Sequence, residues 1–143
     1  MANSNLFIPF KGIQIKGVQN INFGMTRTEV RTIMGDLYKN FRRGAAENTT
    51  DFYKDIGLFF EYDKNDLCNS IGFANYSNLF IESENILQYS YSELVHMYSK
   101  KSFKKDIEGD KSIIFLDLGF SVSKIDNTDK IESVGIFSSD YWE

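Results

Sequence analysis

Two stretches of the chain, DIGLFFEYDKNDLCNSIGF from Asp55 to Phe73 and DLGFSVSKIDNTDKIESVGIF from Asp117 to Phe137, carry the same pattern of apolar strand, acidic turn and second apolar strand. An isolated two-stranded hairpin is marginal in water, so a chain that writes one twice is constrained to a fold in which both copies share a core. The first strands align at an offset of 62, placing Asp55, Gly57, Leu58 and Phe60 on Asp117, Gly119, Phe120 and Val122. One extra residue in the second turn moves the offset to 63, so Ser70, Ile71, Gly72 and Phe73 fall on Ser133, Val134, Gly135 and Ile136.

The correspondence extends upstream. In GMTRTEVRTIMG, Thr26 and Glu29 have the spacing of a capping box, with Met25 and Val30 at the staple positions around it. In QYSYSELVHMYSK, Ser90, Glu93, Tyr89 and Leu94 stand 64 residues further on (90 − 26, 93 − 29, 89 − 25, 94 − 30). Val30, Ile33, Met34 and Leu37 form one helical stripe, and their counterparts Leu94, Met97, Tyr98 and Lys101 keep it at three of four positions.

The spacing therefore predicts an α+β domain over residues 1–143: two tandem helix-plus-β-meander repeats, at about 20–75 and 84–140, forming one antiparallel sheet with both helices packed on one face. The first strand of each unit reads as TTDFYKD or KSIIFLD. Alternation assigns Leu58, Phe60, Ile71 and Phe73, with Phe120, Val122, Val134 and Ile136, to the core face. It leaves Phe59, Glu61, Ser121 and Ser123 on a face free for solvent or a partner. FKGIQIKGVQNINFG, with Ile13 and Ile15, reads as an edge strand or a loop over the sheet, and ANYSNLFIESENILQ as a linker with a short strand at Leu79 to Ile81. FRRGAAENTT and KKSFKKDIEGD read as polar connections whose Lys and Arg complement the preceding helix dipole.

With 143 residues and 15% aromatics, one domain has enough apolar bulk to bury a sheet face and to line a contact surface. A single cysteine, Cys68, excludes an internal disulfide or a multi-cysteine metal site. The N-terminal MANSNLFIPFKG has no basic segment followed by a long apolar run, and no stretch reaches spanning length, so a cytoplasmic location is expected. The formal net charge of −4 disfavours general nucleic-acid affinity and suits a basic partner.

Gly24, Met25, Thr26, Glu29, Val30 and Gly35, followed by a strand pair, resemble the repeat unit of the β-lactamase inhibitor protein family and of outer-membrane lipoproteins of the SmpA/OmlA type. The second unit departs from that pattern at Gln88 and Tyr89. The same phrasing is similar to small cytosolic immunity proteins of bacterial toxin systems, including contact-dependent inhibition. The resemblance implies a meander fold and, for the immunity proteins, neutralisation of a cognate toxin by binding.

The residues offer little chemistry. His96 is the only histidine, falls out of phase with the buried stripe and should face solvent. Cys68 borders a turn as a small apolar residue. The Asp63/Asp66 and Asp126/Asp129 pairs are turn formers without a calcium-loop spacing. Lys100, Lys101, Lys104 and Lys105 around Phe103 make a nucleic-acid candidate outweighed by the dipole reading. What remains suits a binding protein: aromatic and acidic residues at Phe59, Glu61, Tyr76, Phe80, Glu82, Glu84, Asp140, Tyr141 and Trp142.

The expectation is a non-enzymatic immunity protein without cofactor or metal. Its partner would be a basic toxin, nucleases being among the candidates, with neither membrane nor nucleic acid bound directly. The alternatives are an inhibitor or assembly module of the same fold acting on another protein, and a small enzyme or ligand-binding protein.

Overall fold

Thr26 and Ser90 cap the two helices, α1 (Arg27–Met34) and α2 (Tyr91–Ser99), in a computed structural model that describes residues 5–8, 10–15 and 20–142. Each cap oxygen accepts from the backbone N–H of Glu29 or Glu93, and each glutamate accepts from the cap's own N–H, closing both capping boxes. Such caps contribute about 1 kcal/mol. Val30 and Leu94 are fully buried, but α1 stops short of Leu37. Gly35 ends the helix at φ +93 and donates its N–H to the Arg31 carbonyl, leaving Leu37 79% exposed. The side chain of Ile15, and Glu143 in the tail, lie outside the described residues.

Eight antiparallel strands form the larger sheet. They are β4 (Lys39–Phe41), β5 (Thr50–Tyr53), β6 (Leu58–Tyr62), β7 (Cys68–Ala74), β10 (Lys105–Glu108), β11 (Ser112–Phe115), β12 (Phe120–Lys124) and β13 (Ile131–Phe137), in the order β10-β11-β12-β13-β7-β6-β5-β4. At its centre Gly72 opposes Gly135, flanked by Ile71 opposite Ile136 and Phe73 opposite Val134. One row of cross-strand neighbours runs Asn40, Asp51, Phe60, Ile71, Ile136, Phe120, Phe115 and Lys105, and all of its apolar members are buried. Both helices pack on this face, α1 through Val30 and α2 on β11 and β12. Each buried Leu, Ile or Phe contributes about 1.5–3 kcal/mol by leaving water.

A second sheet departs from the expected single one. It holds β1 (Asn5–Ile8), β2 (Gly12–Ile15), β3 (Asn20–Asn22), β8 (Phe80–Ile81) and β9 (Glu84–Asn85), in the order β3-β2-β1-β8-β9, with β1 and β8 parallel. The stretch read as an edge strand or loop pairs with the linker instead, because Ile13, Ile21, Leu79 and Ile86 find burial together in the shared core. Gly12 permits the β2–β3 approach. It sits at φ +136, and a Cβ there would lie 1.9 Å from the Ile21 carbonyl oxygen.

The connection read as a polar loop after α2 holds β10, and the one after α1 begins at Phe41, the last residue of β4. β4 and β10 add a fourth strand to each run after a helix, and every residue in both is exposed. Edge strands held by backbone pairing carry no apolar alternation to betray them. The linker strand begins at Phe80 rather than Leu79.

Candidate protein-binding face

The face of the large sheet turned away from the helices carries the row Lys39, Phe52, Phe59, Gly72, Gly135, Ser121, Ile114 and Asp106. With no side chain at its centre, the row leaves a trough. A cavity of about 200 Å³ lies there, floored by Ser70, Gly72, Ser121, Ser133 and Gly135. Phe59 closes against this floor, since a Cβ on Gly72 would stand 3.3 Å from the Cβ of Phe59.

Aromatic rings make both walls. Phe52 stacks on Phe59 at 4.0 Å between centroids, and Phe41 meets Phe59 edge-on at 6.5 Å. The Arg43 guanidinium lies 4.4 Å from the Phe59 centroid and 3.7 Å from the Glu61 carboxylate. Opposite, the chain turns back after β13. Phe137 packs against Tyr141 at 5.9 Å and Trp142 at 5.7 Å, while Trp142 remains 47% exposed. The Tyr141 hydroxyl donates to Glu61 at 3.0 Å, tying the tail to β6. Burial first, and then Glu61, push the Tyr141 hydroxyl pKa upward, so it remains a donor throughout the neutral range.

Beside this groove, and sharing Glu61 and Tyr141 with it, is a hollow of about 510 Å³. Glu47, Glu61, Asp63 and Asp140 line it; Lys64 is the one basic residue of that lining, and Arg43 pairs with Glu61 from the groove side. An acidic hollow next to an aromatic groove suits a basic side chain flanked by an apolar one.

The structure brings together Phe59, Glu61, Asp140, Tyr141 and Trp142 from the expected partner-binding set. The other four lie elsewhere. Phe80 and Glu84 belong to the smaller sheet, Glu82 stands in the turn between β8 and β9 and pairs with Lys101 at 3.1 Å, and the Tyr76 hydroxyl donates to the Lys54 carbonyl. Arg43, Phe41, Phe52 and Phe137 were missed. Arg43 reads in sequence as a helix-end charge, and Phe52 could have been found by its place out of phase with the buried Asp51 and Tyr53.

A buried charge cluster on the opposite face also escaped the sequence reading. Asp51 is 0% exposed and accepts from Arg27 Nη1 at 3.1 Å, Arg31 Nε at 2.8 Å, Arg31 Nη2 at 2.9 Å and Asn40 Nδ2 at 2.9 Å. Burial alone would raise its carboxyl pKa, but hydrogen bonds from Arg31 and Asn40 and the two guanidinium charges hold it below the usual range. Arg27 lies 4.1 Å from the Tyr62 ring centroid and Arg31 4.2 Å from that of Tyr38. The cluster clamps α1 to β5, and every charged group in it is committed.

His96 is exposed, and Cys68 is buried with its thiol pushed up to about 12 by desolvation. Asp63 accepts from the backbone N–H groups of Asn65 and Leu67, as a turn former does. Lys105 donates to the Ser99 carbonyl at the end of α2, in keeping with the dipole reading. Among the described residues no group of three or more His, Cys, Asp or Glu is placed to hold a metal, and no helix is long and apolar enough to cross a membrane. Comparison with protein-family models, curated proteins and solved structures returns no match.

Proposed function

We propose that the chain is a cytosolic immunity protein that neutralises a cognate toxin domain by one-to-one binding through the helix-free face of its large sheet. The observation that carries this reading is the convergence on that face of Phe59, Glu61, Tyr141 and Trp142 around a glycine- and serine-floored groove, beside a hollow lined by four carboxylates. Exposed aromatic anchors with a charged border are the anatomy of a binding surface. The acidic hollow favours encounter with a basic partner. The reading describes a binder rather than an enzyme, and the likeness of Gly24–Gly35 to the immunity and inhibitor families points the same way.

The same proposal includes two tandem units, α1 with β4–β7 and α2 with β10–β13. Gly72 and Gly135 are counterparts at offset 63 and also oppose one another, so the central strand pair has the symmetry that two related units meeting about a local two-fold would give. On this reading the binding groove lies at the junction of the units, where neither carries a side chain.

The test is the affinity of the purified chain for the proposed cognate toxin domain, to be sought in a neighbouring gene. Reversing Glu61 and Asp140 together (Glu61→Lys with Asp140→Lys) should weaken the complex by at least about tenfold, and Trp142→Ala by a comparable factor, with the thermal transition of each variant confirming a folded chain. Unchanged affinity in both variants would remove this face as the contact. The absence of any complex with the wild-type chain would remove the immunity reading.

A further inference from the structure

On the helix side of the large sheet, the β8–β9 hairpin, the end of α2 and the turn before β12 enclose a separate cavity of about 300 Å³. Its interior is aromatic. Phe120 meets Tyr98 edge-on at 4.8 Å and Phe7 at 6.3 Å, and Ile81 and Leu118 complete the apolar wall. Tyr98 is only 5% exposed and presents its ring to the cavity. Burial, with Glu82 and Glu84 nearby, pushes its hydroxyl up to about 12, so it stays protonated and able to donate or accept.

The mouth is charged. Glu82 and Ser83 turn the β8–β9 hairpin with φ +52 and +70, a conformation that ordinarily selects Asn-Gly. A glutamate held at such a position is retained at a cost in backbone strain, and its carboxylate stands at the cavity's rim. That carboxylate takes the Lys101 ammonium at 3.1 Å, and the same ammonium lies 5.6 Å from the Tyr98 ring centroid. Asp117 is on the same wall, its carboxyl held below the usual range by the Ser102 hydroxyl and the Phe103 N–H. Two carboxylates against one lysine leave the mouth negative, and the ring faces behind it add negative potential.

We propose that this cavity is a binding site for a small organic ammonium ion with an apolar body. Its charge would replace that of Lys101 between the Glu82 carboxylate and the Tyr98 ring, and its body would lie against Phe7, Leu118 and Phe120. Lys101 marks the cation position, and its half-exposed side chain is free to swing into water when displaced. The site is separate from the proposed toxin-binding face, so occupancy of one is readable without the other.

The experiment titrates the full chain with phenethylammonium and, as a control of matched size and opposite charge, phenylpropionate, following ring resonances of Tyr98 and Phe120 by NMR and heat by calorimetry. The cation should bind once per chain and move those resonances, while the anion should not. Glu82→Gln, at an exposed turn, should weaken the cation at least about fivefold, and Lys101→Met, by removing the internal competitor, should tighten it about threefold. Binding of the anion as tight as that of the cation, an unchanged affinity in Glu82→Gln, or saturating cation without movement of Tyr98 and Phe120 would each overturn the proposal.

Discussion

Replacing Asp51 by Asn keeps the shape of the side chain and removes the charge that four donors address. In the native chain those donors come from Arg27, Arg31 and Asn40, at distances from 2.8 to 3.1 Å, and Arg27 is itself only 8% exposed. Without the carboxylate, Arg27 keeps Asp66 at 2.9 Å, but one of the two oxygens that Arg31 addresses becomes an amide NH2 that cannot accept, so at least one donor of the cluster is left facing another donor. Breaking a buried ion pair by removing one partner costs about 3–5 kcal/mol, because the charge left behind is uncompensated. For a chain of this length that corresponds to a fall of roughly 10–15 °C in Tm. Urea unfolding followed by circular dichroism reads it directly.

The pH dependence gives a second handle on the same residue. The native Asp51 carboxyl lies below its ordinary value of 3.8, so its contribution to stability is complete above that pH and is lost as pH falls through the lower native value. Wild type should therefore lose stability below about pH 4 more steeply than Asp51→Asn. The proposed repeat supplies a stronger control. Tyr91, Val95 and Ile113 stand where the second unit would carry Arg27, Arg31 and Asp51 (27 + 64, 31 + 64, 51 + 62), and Ile113 is buried. Copying those three residues into the first unit should recover most of the loss, since apolar replacement of a whole buried charge cluster is often neutral or better. If Asp51→Asn costs less than about 1 kcal/mol, the clamp is not a stabilising element and the reasoning fails.

Three further outcomes follow from particular residues. Ser83→Gly should raise stability by about 0.5–1 kcal/mol in urea unfolding, because glycine occupies the positive φ of that turn without strain. Cys68, buried and with its thiol pushed up to about 12, should react with a thiol reagent only at the rate of global opening; fast stoichiometric labelling at pH 8 would contradict its placement. Gly12→Ala should destabilise by more than about 1 kcal/mol and loosen the smaller sheet, read as faster amide exchange across β2 and β3.

The helices and central strands were legible because local rules and burial agree there. Thr26 with Glu29 and Ser90 with Glu93 form the expected capping boxes, and Leu58, Phe60, Ile71 and Phe73 lie on the buried face that alternation assigned them. β4 and β10 were hidden because an exposed edge strand needs backbone partners and no apolar pattern. The smaller sheet was hidden because strands as short as Phe80–Ile81 carry no period, and their pairing with β1 depends on tertiary contact. Binary patterning also misassigns Asp51, since a polar residue in a buried row looks like surface until its arginine partners, one turn apart on α1, are brought against it. At the candidate face, Phe59 and Glu61 were visible as the out-of-phase members of β6, and Tyr141 and Trp142 by composition. Arg43 and Phe41 were not, because β4 had not been recognised as the strand that delivers them beside Phe59.

Trp142 is the only tryptophan, stands half exposed on the groove wall, and reports on the proposed contact without any substitution at it. The most direct measurement is a fluorine NMR titration of the chain, labelled with 5-fluorotryptophan, against the proposed cognate toxin domain. The account predicts that the Trp142 resonance shifts or broadens and saturates at one equivalent as the complex forms. A complex that forms at one to one while that resonance stays where it was would contradict it.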